Sequence, residues 1–421
     1  MVFRRLYEYR RPKVTRYTRN MVIKIDKQPI PITEIEQSAF CQTDKELASK
    51  TLEQEFNSGV RWQKLPVSYM RTSPEELEQK ISSAKKKLGN KIVILGHHYQ
   101  RDEVIQFADV RGDSFKLSQH AAKLEGPEYI IFCGVHFMAE TADILSTQKQ
   151  KVILPNLTAG CSMADMAHID DVMDCWDDLT ETLGEGSVIP VTYMNSTAAI
   201  KSLCGENGGI VCTSSNASAA FDWSFERGEK ILFLPDQHLG RNTAVTKGVK
   251  LNEMIVWNPF KPLGGNSIEA IKNSKMILWQ GHCSVHTRFT VDQINAAKKS
   301  HANVSVVVHP ECTLDVVESS DYVGSTEYIR QIINKAKPGT TWAVGTEISL
   351  VNRIATENPD KNIFCLDSVV CPCSTMYRIH PAYLAWVLDG LLEGVVVNQI
   401  TVDKNTRKYS RIALDRMLSI K

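Results

Sequence analysis

The chain has 421 residues and no uninterrupted apolar run of about 18, so the sequence offers no membrane-spanning helix. It has no excess of charge: 49 Lys+Arg against 48 Asp+Glu leave a formal net charge of +1. That balance argues against wholesale nucleic-acid binding, which normally needs a basic domain or stripe. No CxxC pair occurs, which removes zinc ribbons and fingers. There is no GxGxxG or GKS/T loop either, so dinucleotide or ATP binding has no support. The arginine-rich arm MVFRRLYEYRRPKVTRYTRN lacks the apolar core of a secretory signal. The eleven cysteines are an odd number, and read better as metal or redox ligands in a reducing compartment than as a disulfide framework. A cytoplasmic location is the expectation; transit to a plastid or other organelle, directed by the basic arm, is the alternative.

What is present is a globular composition, 43% hydrophobic and 23% charged, long enough for roughly three domains. After a polar stretch to residue 72, SPEELEQKISSAKKKLG opens a helix: Ser73 as cap, Pro74 in the first turn, acids, then lysines and Gly89 as a stop. Short apolar runs then alternate with helical stretches. KIVILGHHY, EYIIFCGVHF and KVILPN form one group, SVIPVTYMN, GIVCTSSN and KILFLPD a second, and KMILWQGHC, VSVVVHPEC, TWAVGTE and NIFCLD a third. Runs this apolar signal parallel strands buried on both faces. The fold expectation is α/β: three αβα domains, each with a small parallel sheet. The divisions are an extension over 1–72, then 73–180, 181–272 with an insertion near 237–270, and 273–421 including a C-terminal segment. One large doubly wound sheet is the alternative.

Ligands of open parallel sheets bind beyond the carboxyl ends of the strands. Those ends hold His97, His98 and Tyr99; Tyr193 and Asn195; Ser214, Ser215 and Asn216; Asp236; His282 and Cys283; His309, Pro310 and Glu311; and Glu347. One such histidine would ordinarily be a turn residue; the accumulation points to a shared site. Cys133 and Cys365 sit inside apolar strands as small hydrophobes. Cys161 follows a glycine where a helix begins, Cys283 ends a strand, and Cys373 lies in the turn CPCS. Three scattered thiolates of this kind can hold an iron–sulfur cluster. The CPC turn also offers a Cys371–Cys373 disulfide on oxidation. TSSNAS and GST supply hydroxyls at helix starts, suited to an anion or to an ordinary cap.

The segments GHHYQRDEVIQFADVRGDS, AGCSMADM, VTYMNSTAAIK, VCTSSNA, LPDQHLG, GHCSVHTRF, VVHPEC, VGSTEYI and CPCSTM follow one another between about residues 90 and 376. In this set and order the chain resembles the quinolinate synthase family. The resemblance implies three domains around a pseudo-threefold axis with the active site at the centre. It also implies one [4Fe–4S] cluster held by Cys161, Cys283 and Cys373, with one iron open. Cys373 rather than Cys371 matches the family's Cys-x-x-Met pattern, through Met376. The implied reaction is a transferase-class condensation of iminosuccinate with dihydroxyacetone phosphate to quinolinate, releasing phosphate and water, in de novo NAD biosynthesis. Glu311 is the implied general base, with Tyr99, His309, His97 and Tyr193 in proton transfer. His97, Ser114, Tyr193, Met194, Asn195, Ser214, His309, Pro310, Glu311 and Thr326 are the implied substrate contacts. L-aspartate oxidase or aspartate dehydrogenase is the implied supplier of the imine. An iron–sulfur hydro-lyase acting on another carboxylic acid is the rival reading.

Overall fold

A computed structural model describes residues 32–42 and 47–420. The arginine-rich arm lies outside them. The first sheet contains β1 (Ile92–His97), β2 (Val110–Gly112), β3 (Tyr129–Cys133) and β4 (Lys151–Ile153). The second contains β5 (Val188–Tyr193), β6 (Ile210–Cys212), β7 (Lys230–Leu234), β8 (Met254–Trp257) and β9 (Met276–Trp279). The third contains β10 (Ser305–Val308), β11 (Tyr322–Val323), β12 (Thr341–Gly345) and β13 (Asn362–Cys365). A last strand, β14 (Gln399–Ile400), returns to the edge of the first sheet. The orders are β14-β4-β3-β1-β2, β6-β5-β7-β9-β8 and β11-β10-β12-β13. Every pairing is parallel except β14 on β4. β1, β5 and β7 are buried along their whole length, as runs covered on both faces must be. The α/β expectation holds, in three sheets rather than one.

Three details depart from the sequence reading. The run KMILWQGHC, which spacing places with the third group, forms β9 and pairs with β7 and β8 of the second sheet. A division at 272/273 therefore separates β9 from its own sheet, because regular spacing of apolar runs says nothing about pairing. The segment 237–270 is no loop-like insertion: it forms the helix Gln237–Thr246 and the edge strand β8. The C-terminal segment also leaves the third sheet. Its helix Pro381–Leu392 packs on the helix Pro74–Leu88, and Lys404–Ser419 packs on Ala198–Glu206. The last contact is so close that a Cβ on Gly205 would run into the Tyr409 carbonyl.

The helix Pro74–Leu88 forms as its sequence dictates. Ser73 and Glu76 make a reciprocal capping box, and Leu77, Ile81, Ala84 and Leu88 make one buried stripe. Upstream residues act as a strap. Glu55 receives both forks of Arg101, at 2.8 and 3.0 Å, and the guanidinium lies 4.0 Å from the centre of the Tyr377 ring. Both charges are buried. Among the described residues, Glu55→Gln leaves Arg101 with only the partly exposed Glu103 as anionic partner. We expect a loss of about 3–5 kcal/mol, the usual result of breaking a buried pair, measurable by urea unfolding.

Candidate functional site

Glu311 sits in the turn after β10, almost fully buried. Its Oε1 accepts from the Tyr193 hydroxyl at 2.6 Å, and its Oε2 lies 2.9 Å from His286 Nδ1. The far nitrogen of His286, Nε2, lies 3.2 Å from the Thr346 hydroxyl and 3.4 Å from that of Tyr99. Tyr99 and Thr346 are themselves 2.8 Å apart. His309 stacks on His286 with ring centres 4.4 Å apart and places its Nε2 3.3 Å from Ser214 Oγ. His97 meets Tyr99 edge-on at 4.8 Å. Residues from the ends of β1, β5, β10 and β12 thus form one polar network.

Burial raises the Glu311 carboxyl, but His286 and His309, with hydrogen bonds from His286 and Tyr193, outweigh it and hold the group well below the usual carboxylate range. Burial, reinforced by His286, pushes His309 down to about 3. Burial likewise lowers His97 and raises Tyr99 and Tyr193. At neutral pH His97 and His309 are neutral, and Tyr99 and Tyr193 keep their protons. A carboxylate only accepts, so His286 Nδ1 carries a hydrogen toward Glu311, and in the neutral imidazole Nε2 then accepts from Tyr99 or Thr346.

Other expected contacts fall around this network. Asn195 Oδ1 and Thr326 Oγ1 are buried without a hydrogen-bond partner, the mark of polar atoms that a ligand or water satisfies. Ser114 begins the helix Ser114–Lys123, whose cap Asp113 also accepts from Ser215 Oγ at 2.8 Å, tying that helix to the Ser214 turn. Met194 is fully buried, and its sulfur accepts from Thr141. The Pro310 carbonyl accepts from Asn242 at 2.8 Å. His282 stays apart: its backbone N–H points to the Met166 sulfur, and it makes no hydrogen bond with the network.

The three thiols lie beyond strands of three different sheets: Cys161 beyond β4, Cys283 beyond β9 and Cys373 beyond β13. Burial raises all three. Cys161 is raised further by Cys373, and Cys283 by both Cys373 and Cys161, so the thiols lie within electrostatic reach of one another. Ligand atoms of Cys283, His286 and Glu311 lie within 4.8 Å of one another, which brings the thiol set against the acid–base set. Glu347 caps the helix Ile348–Glu357 and accepts from the Cys373 backbone N–H at 3.1 Å. Burial lifts its carboxyl to about 7. Cys371 does not pair with Cys373. It is disulfide-bonded to Cys41, carried there by the Gln42–Val370 bridge, and Cys373 is free.

The sequence reading missed His286 and Asn242. GHCSVH does carry His286 one turn after Cys283, but a lone histidine there reads as core. Asn242, on the helix Gln237–Thr246, donates to the carbonyls of both Pro310 and Cys312, each at 2.8 Å, and so grips the chain on either side of Glu311. Asn242→Ala frees that turn. Because small misplacements cost up to about 100-fold, we expect kcat to fall roughly 10- to 100-fold with a smaller change in KM, read by steady-state kinetics.

The fold is a three-sheet α/β one, with a buried carboxylate at the strand ends inside a Cys283–His286–Glu311 group that could hold a metal ion. The chain belongs to the NadA family, described as quinolinate synthetase A protein, whose sequence model matches residues 79–419. It is similar to the quinolinate synthase of Corynebacterium glutamicum, 58% identical over 360 residues, which cover 86% of this chain and 91% of the relative. The quinolinate synthase of Streptomyces coelicolor is 54% identical over 351 residues (83% and 89%). That of Herpetosiphon aurantiacus is 55% identical over 355 residues (84% and 94%).

Proposed function

We propose that the chain is a quinolinate synthase that condenses iminosuccinate with dihydroxyacetone phosphate, with phosphate and water as the other products. The observation that carries this is the Tyr193–Glu311–His286 network abutting Cys283, in a chain of this family. The three sheets are read as domains around a pseudo-threefold axis, with this network at the centre.

The donor set fits a [4Fe–4S] cluster. Cys161, Cys283 and Cys373 are free, partly buried and within electrostatic reach of one another, while Cys371 is engaged elsewhere. Three thiolates leave one iron without a cysteine ligand, and when bound the cluster supplies Lewis acidity toward a substrate oxygen. The chain's own residues do the rest. Glu311 is anionic, buried and held by one phenol and one imidazole, which suits a base that withdraws carbon-bound protons in imine–enamine and ketose–aldose shifts. Tyr193 holds Glu311 Oε1 in place and can return a proton along that hydrogen bond. Tyr99, with His286 Nε2, forms a second proton path, and His309 and His97 line it as neutral imidazoles. Asn195, Thr326, Ser214 and Ser114 offer uncharged donors for carboxylate and phosphate oxygens, with Met194 and Pro310 as walls.

The imine must be supplied by an oxidase or dehydrogenase of aspartate. No described helix is long and apolar enough to cross a membrane, and a cytoplasmic setting fits this chemistry. The test is product analysis. Anaerobically purified protein given both substrates yields quinolinate by mass spectrometry; dehydration of another acid with no ring product would favour the hydro-lyase reading.

A further inference from the structure

We propose that a cationic cavity outside the His98–Glu327 pair is a second anion site, taking a phosphate dianion beyond the residues that hold the substrates. The cavity is about 160 Å³ and is lined by Arg111, Lys116, Arg330 and Arg353, with His98 and Glu357. Drug- or cofactor-sized pockets run roughly 300–1,000 Å³, so this space suits a small oxyanion and not a nucleotide. Its walls come from two of the three sheets. β2 brings Arg111 and the helix after it Lys116, while the helices Thr326–Lys335 and Ile348–Glu357 bring Arg330 and Arg353.

The charges there are not balanced among themselves. Arg353 is committed to Asp102 and to the carbonyls of His98 and Gln100. Arg330 reaches Glu357 and Glu327 only at 3.6 and 3.9 Å, longer than hydrogen bonds. Arg111 and Lys116 make no ion pair within 4.0 Å among the described residues. Guanidinium forks and an ammonium around a small space match a tetrahedral dianion better than a single carboxylate.

The inner wall gives the cavity its meaning. His98 Nε2 and Glu327 Oε2 are 3.1 Å apart and join the first unit to the third. His98 lies between His97 and Tyr99 in the chain, and Glu327 directly follows Thr326. The pair therefore stands one residue along the chain from groups of the proposed substrate site on both units. This rests on the reading that the chamber handles a phosphate ester and releases phosphate: both carry the same dianionic group, one arriving and one leaving.

The test needs no turnover. In a Ser214→Ala/Thr326→Val background, which removes the inner oxyanion ligands, the protein is titrated with inorganic phosphate by calorimetry. Saturable binding is expected to persist, and adding Arg111→Ala/Lys116→Ala to weaken it at least about tenfold. The charge-keeping pair Arg111→Lys/Lys116→Arg should restore most of it and so controls for folding. A background without saturable binding, or an affinity unmoved by loss of both cations, overturns the proposal. A parallel titration with dihydroxyacetone phosphate separates the sources: tighter binding than phosphate marks an arrival site, equal or weaker binding a departure site. Failure of the wild type to make quinolinate would sink the functional reading and leave this titration standing.

Discussion

Glu311→Gln is expected to lower turnover by roughly 10²–10⁴ while iron content and fold survive. The substitution keeps the shape and still accepts from Tyr193, whose hydroxyl lies 2.6 Å from Oε1 in the native protein. It removes the negative charge, and with it the capacity to take a proton. It also turns an amide toward His286 Nδ1, which the carboxylate faces at 2.9 Å. An amide that donates there forces the imidazole hydrogen onto Nε2, and the path through Tyr99 and Thr346 then runs the wrong way. Loss should therefore appear in kcat, with substrate KM little changed. Near-normal rates would remove Glu311 from the chemistry and leave it a structural clamp for Tyr193 and His286.

The second large effect separates the cysteines. Cys161→Ser, Cys283→Ser and Cys373→Ser should each abolish the brown absorbance of anaerobically purified protein, and activity with it. Cys133→Ser and Cys371→Ser should keep both. The contrast between Cys371 and Cys373 is the informative one, since they are two residues apart. Cys373 sits where its backbone is held by Glu347; burial raises its thiol, and it in turn raises those of Cys283 and Cys161. Cys371 faces away, bonded to Cys41, with Arg288 donating to both sulfurs. Bleaching by Cys371→Ser and not by Cys373→Ser would reverse the assignment.

Much of the polar network around Glu311 could be read before the fold. Tyr99, Tyr193, His309 and Glu311 stand at or just beyond carboxyl ends of apolar runs, where parallel sheets gather their ligands, and the fold brings them together. Strand pairing could not be read. β9 has the same apolar pattern whichever sheet it joins, and the short strands β2, β8, β11 and β14 are too brief to show a period. Cys41 lies 330 residues from Cys371, and such a separation carries no geometric information until the Gln42–Val370 bridge is seen. Asn242 was invisible for a different reason: its work is done on two backbone carbonyls, which leave no signature in sequence.

The account depends on thiols from three sheets holding iron and sulfide against the Glu311 network. Chemical analysis of anaerobically purified wild-type protein tests it most directly. The account predicts about four irons and about four acid-labile sulfides per chain. Colourless protein that forms quinolinate at full rate with neither iron nor sulfide would contradict it.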